Sequence, residues 1–287
     1  MANILALQRR INAAKNVSKT TKAMQMIAAS KLKRAQDAVT ASKPYVYKIS
    51  SILKSILTHV EEGYTHPYLI NRSQSGRTLL IALSPDKGLC GSLVTNLIRE
   101  FILYQRETPE TAYVVVGKKL EGQIIHFSHE IVASFPFGTS LPTFDAIFPL
   151  IRIIDDYYGS GKVESVKILT TEFNSVFLQT PKIVPLLPIS FNNTIEKNSE
   201  SFYLFEPNKI ELLNSLMKHY LEMTVYQQLI ESFVSEQASR MMAMQNATNN
   251  ANDIIEDLQL EYNKTRQAKI TSEIFDITSS TIVTKNE

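Results

Sequence analysis

Small and apolar residues recur in alternating steps of three and four from the start of the chain: Ile4, Leu7, Ile11, Ala14, Ser18, Thr21, Gln25, Ala28, Leu32, Ala35 and Val39. That is a 3.5-residue repeat, which predicts a helix with a coiled-coil seam. From Ser18 to Ala28 the seam turns small or polar, so close but weak packing is expected there. Past Pro44 the pattern resumes with Ile49, Ile52, Leu53, Ile56 and Leu57, and it stops at Gly63. A second run opens after "FEPN", where Asn208 is placed to cap it. Its apolar stripe is Ile210, Leu213, Met217, Leu221, Val225, Leu229 and Phe233, followed by Met241, Met244, Ala247, Ala251, Ile254, Leu258 and Tyr262. The register drifts along this run, so no single heptad frame fits it. A helix of ~75 residues would extend roughly 110 Å, far beyond the globular norm, and needs a partner for most of its length.

The partner lies in the same chain. With residue 57 set beside residue 208, antiparallel pairing makes facing residue numbers add to about 265. Arg9 and Arg10 then fall beside Ile255 and Glu256, and the acids Asp253, Glu256, Asp257 and Glu261 face the basic N-terminus. Residues beyond about 262 are left without a partner in the chain and need a sleeve from other proteins. The segment "SEQASRMMAMQNATNNAN" (235–252) has no Leu, Ile, Val or aromatic residue. Its Met side chains are deformable, and its amides exchange hydrogen bonds without the desolvation cost of a charge. Such a helix surface suits enclosure without locking.

Glycine and proline mark the organisation. All nine glycines lie between Gly63 and Gly161, and the eleven prolines between Pro44 and Pro207. The chain therefore divides into an N-terminal coiled-coil helix (1–62), a central α/β domain (63–207) and a C-terminal coiled-coil helix (208–287). In the centre, "RTLLIAL" (77–83) and "TAYVVVG" (111–117) are apolar, β-branched runs suited to buried parallel strands. "SLVTNLIREFILYQRE" between them has helical spacing, "FDAIFPLIRIIDDYY" is a helix bent or broken by Pro149, and "VESVKILTTEF" is a further strand. Strand, helix and strand in this order predict βαβ units. Residues 181–206, with Pro181, Pro185 and Pro188, read as an edge strand and a linker.

Charge sharpens this picture. The net charge is +2, yet residues 1–48 hold ten Lys or Arg against one acid, Asp37, while residues 208–287 hold seven basic and eleven acidic residues. The two ends are complementary. No window approaches 18 consecutive apolar residues, so no membrane-spanning helix is expected. The start lacks the apolar core of a secretory signal, and its basic amphipathic pattern runs unbroken into the helix, which favours mature structure over a transit peptide. One cysteine, Cys90, leaves no internal disulfide to form.

Four groups of residues could carry chemistry. The loop "SPDKGLCGSL" (84–93) joins a strand to a helix, where backbone N–H groups can hold phosphate. It lacks GK[ST] and GxGxxG, so a tight turn using Gly88 and Gly91 competes with that reading. Cys90 is either a nucleophile at a helix start or a buried structural thiol, and with no histidine nearby in sequence the second is favoured. The five histidines show no metal spacing beyond "HFSH", so no metal or cofactor is expected. Lys15, Lys19 and Lys22 share one helix face, followed by Lys31, Lys33 and Arg34. That face is a solvated surface, a nucleic-acid site or a dock for an acidic protein, and the absence of interleaved aromatics disfavours nucleic acid.

Three stretches carry a family likeness. "INAAKNVSKTTKAMQMIAASKLKRAQ" (11–36), "DKGLCGSL" (86–93) and "EQASRMMAMQNATNNANDIIEDLQLEYNKTRQAKITSEI" (236–274) resemble the gamma subunit of F-type ATP synthases, in order and at matching length. The resemblance implies the central rotor shaft, a coiled coil inside a ring of three alpha and three beta subunits. Its foot would meet the epsilon subunit and the membrane c-ring. Proton flow would turn ring and shaft and drive ATP synthesis in the surrounding ring, with no catalysis by the shaft itself. It would place the chain on the cytoplasmic face of a bacterial inner membrane, peripheral and held there only through the complex. By motif match it implies rotor–stator contacts at Met24, Lys87, Arg240, Arg266, Gln267 and Thr271, with Met24 level with Arg240. The basic helix face would meet an acidic segment of beta. The ending "DITSSTIVTKNE" departs from the family's usual "EIVSGAA", which leaves the tip contacts open, and the cysteine-pair insertion of chloroplast gamma subunits is missing.

A coiled-coil scaffold with a nucleotide-binding α/β domain is the rival reading, and a basic helix docking on nucleic acid or anionic membrane is the third. The rotor reading predicts that Met24→Lys impairs coupling between rotation and catalysis more than assembly. A fixed charge would trap the shaft at one angle, and a trap of ~4 kcal/mol slows escape roughly a thousandfold. The check is to compare ATPase-driven ion pumping with recovery of the assembled complex. Equal losses in both would refute the trap.

Overall fold

The computed structural model describes residues 4–58, 66–70, 76–127, 130–190 and 209–283. The Asn208 cap and the end of the first run at Gly63 lie outside them. The described residues fall into two compact units, one from residues up to Ile27 together with Met241 onward, the other from Ala28 to Arg240.

The first helix, α1, runs Ile4–Thr58, and the last helix, α5, runs Lys209–Val283. In α1 the seam read from the sequence is the sheltered face: Leu7, Ile11, Ala28, Leu32, Ala35, Ile49, Leu53 and Ile56 are buried, and Ala14, Ser18, Thr21 and Gln25 are half-buried. Pro44 does not end the helix. It stands on an exposed position, where water can serve the carbonyl that its missing N–H leaves free. In α5 the stripe holds at Leu213, Met217, Leu221, Val225, Leu229, Phe233, Met244, Ala251 and Leu258, but Ile210 at its start is exposed, and further on Ile254 is exposed and Thr248 is buried instead. The drift of register along α5 accounts for this exchange.

Within the second unit a five-stranded sheet has the order β3-β2-β1-β4-β5. The strands are β1 (Thr78–Leu83), β2 (Thr111–Val116), β3 (Ile131–Phe135), β4 (Ser165–Phe173) and β5 (Gln179–Leu187). The first four are mutually parallel, with Thr78 aligned to both Thr111 and Ser165, and β5 is antiparallel on β4. Every residue of β1 and β2 is buried, as expected of central strands covered on both faces. Leu80, Ala82, Tyr113, Val115 and Leu169 pack with Leu93, Leu97 and Phe101 of α2 (Leu93–Glu107) and with Leu120 and Ile124 of α3 (Lys118–His126). The stretch expected to break at Pro149 is a 3-10 turn, Phe144–Ile147, followed by α4 (Phe148–Gly159) with the proline in its first turn, where no N–H is missed. Pro181 and Pro185 lie in β5, an edge strand.

The expected α/β domain with a long antiparallel helix pair is therefore the observed fold. Two elements were not foreseen, α3 and β3. Both are short, and Gly122 interrupts the helical spacing of the first.

The turn after β2 brings two stretches of backbone into close contact. Gly117 has φ +98°, and a Cβ there would lie 1.8 Å from the Ser84 carbonyl oxygen. Ser84 Oγ also donates to the Gly117 carbonyl at 3.0 Å and accepts the Leu120 N–H at 3.2 Å. Gly117→Ala is expected to destabilise the protein by about 4 kcal/mol, because backbone must yield and φ is adverse. Denaturant unfolding at 25 °C checks this, with Gly122→Ala as control, since a Cβ at Gly122 meets nothing within 4 Å.

Candidate functional site

In the unit formed by the chain ends, polar side chains join the two helices. Leu7, Ile11 and Leu258 form an apolar cluster with Tyr262 against it. Further along, Ser18 Oγ donates to Asn252 Oδ1 at 2.8 Å, the hydroxyls of Thr21 and Thr248 bond at 2.7 Å, and Gln25 Nε2 donates to Gln245 Oε1. Facing residue numbers thus add to about 270 rather than 265, a displacement of roughly one helical turn. The level of Met24 on α5 accordingly falls near residue 246 instead of 240. Among the described residues no ion pair joins Arg9 or Arg10 to Asp253, Glu256, Asp257 or Glu261. The polar seam, not the charge gradient, fixes this pairing.

Beyond Tyr262, α5 is exposed almost without interruption to residue 275, and Ile270, Ile274 and Phe275 face outward. Arg266, Gln267 and Thr271 all stand on this segment. Thr271 Oγ1 donates to the Gln267 carbonyl at 2.9 Å, so those two are linked. Met24 is 39 % exposed, with Met26 and Ile27 more so.

In the other unit, the loop from Ser84 to Ser92 meets the middle of α5. Asp86 holds the loop by accepting the N–H groups of Lys118 (3.2 Å), Phe137 (3.3 Å) and Gly138 (2.8 Å). Leu89 (φ +61°) and Gly91 (φ +56°) carry the left-handed turns, so of the two glycines expected in the turn Gly91 takes a positive φ and Gly88 does not. The loop turns carbonyls toward α5. Cys90 accepts from Ser239 Oγ at 2.7 Å, while Lys87 and Gly88 accept from Arg240 Nη2 at 3.1 and 3.3 Å. A phosphate cradle presents N–H groups, so this geometry favours the turn reading. Burial pushes the Cys90 thiol up from its ordinary pKa, with Arg240 pulling more weakly the other way, as suits a structural thiol.

Lys87 and Arg240 are brought together here, with the Lys87 side chain exposed and the Arg240 guanidinium turned into the contact. Arg240 Nη1 also donates to Glu236 Oε1 at 2.5 Å. Glu236 is 4 % exposed, and its Oε2 has no hydrogen-bond partner. Burial raises its pKa above the ordinary 4.5, Asp86 adds to the rise, and Arg240 and Lys31 oppose it. Of the basic face, Lys31 donates to the Thr139 carbonyl and Lys33 pairs with Asp37 at 3.1 Å, so those two cations already have partners inside the chain. Sequence reasoning missed Asp86, Ser235, Glu236 and Ser239. The i, i+4 spacing of the two serines was the available signal. Among the described residues no three or more His, Cys, Asp or Glu side chains gather to hold a metal, and no helix is long and apolar enough to cross a membrane.

Ionisation of Glu236 opposes folding because its native pKa lies above the unfolded value. The penalty is absent below pH 4.5, grows as pH rises through the native pKa and is constant above it. Glu236→Gln is expected to flatten the fall of stability as pH rises from 4.5 to the native pKa of Glu236. Thermal melts from pH 4 to 7 read the slope, and an unchanged slope would place the charge elsewhere.

Residues 3–281 match the profile of the ATP synthase family. Among similar proteins, the ATP synthase gamma chain of Dehalococcoides mccartyi strain BAV1 is 38% identical over 284 residues, covering 96% of this chain and 97% of its own. That of Legionella pneumophila strain Corby is 35% identical over 283 residues, covering 96% and 98%. The fold is similar to a chain in the OSCP/F1/c-ring structure of the Euglena gracilis mitochondrial ATP synthase, with a TM-score of 0.65 at 17% identity over 98% of this chain and 94% of that one. A chain of the central stalk/c-ring of the Tetrahymena thermophila enzyme gives 0.58 at 24% identity, over 79% and 99%. The chain belongs to the ATP synthase gamma chain family.

Proposed function

We propose that this member of the gamma chain family works as the central rotor shaft of an F-type ATP synthase, from the following physical reading. It makes and breaks no bonds itself. Catalysis belongs to the beta subunits of the surrounding ring, and the shaft couples their state to ion flow by turning. The observation that carries the reading is the exposed run of α5 from 263 to 275, whose Ile270, Ile274 and Phe275 face outward. A single helix with outward apolar side chains needs an enclosing partner, and a ring of subunits supplies one.

The partners are three alpha and three beta subunits around the helices, the epsilon subunit, and the c-ring of the membrane sector, through which protons pass. Residues 1–62 and 208–287 serve as the shaft and 63–207 as the domain that receives torque. Met24, Lys87, Arg240, Arg266, Gln267 and Thr271 are the proposed contacts with the ring. Arg240 would contribute in part by shaping the surface around Lys87, since its own guanidinium bonds inward. The chain would sit peripherally on the cytoplasmic face of a bacterial inner membrane, held there by its partners alone. No nucleic acid enters this reading.

Mixing the purified chain with its cognate alpha and beta subunits tests it. One copy per hexameric ring in a native mass spectrum, with ATPase activity dependent on that copy, is the expected result. A chain that stays free of the ring while the ring hydrolyses ATP normally would overturn it.

A further inference from the structure

The sheet changes direction of travel between two strands. From β1 the chain moves by way of α2 to β2 and then by α3 to β3, whereas β4 returns to the opposite side of β1. In doubly wound folds, ligands occupy the crevice at the carboxyl ends of the two strands flanking such a switch point. In this chain the crevice is occupied by α5. Ser235 Oγ donates to the carbonyl of Thr171, near the end of β4, at 2.9 Å. Ser239 Oγ donates to the carbonyl of Cys90, in the loop that follows β1, at 2.7 Å. One helical turn therefore bonds to both walls. Ser235 is fully buried and Ala238 between them is too, so the approach leaves no room for a larger side chain. Arg240 continues the contact onto the carbonyls of Lys87 and Gly88.

We infer that Ser235 and Ser239 are positioning residues for the rotary reaction, clamping the shaft helix in the ligand crevice of the α/β domain so that torque passes without slip. The inference rests on the rotor reading above. Its physical basis is that the acceptors are main-chain carbonyls. A flexible side-chain partner could follow α5 through a twist of several tens of degrees, but a carbonyl fixed in a sheet or a braced loop cannot. Turning the helix about its own axis strips both hydroxyls from their acceptors together and leaves two buried hydroxyls unpaired, which is costly. The two bonds lie one turn apart on one face and meet different strands, so they oppose rotation in both senses. Apolar packing alone is non-directional and resists sliding of this kind less.

The test uses the full complex in vesicles, with the chain carrying Ser235→Ala and Ser239→Ala together. The expected result is normal assembly and normal ATPase without load, but an ion-pumping yield per ATP at least threefold lower against an imposed opposing gradient. Hydrolysis and pumping that stay equal to wild type under load, or that fall by the same factor, would overturn the clamp. If the double alanine chain does not assemble, each single alanine variant is read instead. Intermediate yields under load support the clamp, and wild-type yields in both overturn it. Failure of the wild-type chain to support ring ATPase would reject the rotor reading itself, a distinct result.

Discussion

Close approach between the backbone of α5 and the carboxyl ends of β1 and β4 is the constraint on which the second unit depends. Two main chains can meet only where side chains are small, and a buried carbonyl at the meeting must receive a donor. Ser235, Ala238 and Ser239 satisfy both demands, since a serine is as compact as the site requires and brings its own hydroxyl. The rest follows from that requirement. Asp86 fastens the loop that offers its carbonyls, Gly117 lets the neighbouring turn pass under Ser84, and Arg240 closes the rim. Glu236 is buried as a by-product, because it lies between the two serines on a helix already enclosed.

The unit made by the chain ends answers a different demand. Its seam contains Ser18, Thr21 and Gln25 against Asn252, Thr248 and Gln245. Each bond contributes only about 1 kcal/mol net, yet a polar residue facing an apolar one across the seam would lose its partner at greater cost. The ladder therefore specifies register more than it adds stability, as a polar seam position does in shorter coiled coils. Apolar residues are kept for Leu7, Ile11 and Leu258.

Much of this was legible in the residue pattern, and what was not has physical reasons. The seam of α1, both central strands and the helix between them follow from periodicity, because burial on one face or on both leaves an unmistakable spacing. Pairing register was displaced by a turn, since it was set from the ends of the two runs, where no spacing marks the last helical residue. Ile254 and Thr248 exchanged places because the seam drifts around α5 and no single heptad frame follows it. The contact of α5 with the sheet was hidden because "SEQASR" contains nothing apolar larger than Ala238. Its amide-rich continuation suggested a surface facing other proteins, whereas residues 235–239 are buried within their own chain. The turn at Asp86 was likewise invisible, because its partners are backbone N–H groups from two distant segments.

The helices that pair are encoded at opposite ends of the chain, and Ser18 meets Asn252 across 234 residues. During synthesis at about 5–20 residues per second, α1 leaves the ribosome on the order of ten seconds to a minute before its partner exists. For that interval Leu7, Ile11, Leu32 and Ile49 have no seam to enter. The β1–β4 sheet can close meanwhile, but its crevice stays empty until the last eighty or so residues arrive. Nascent chains of this topology thus pass through a state with an exposed apolar helix stripe and an unfilled cleft, the kind of surface that chaperones bind. The same stripe and cleft are what the completed fold buries last.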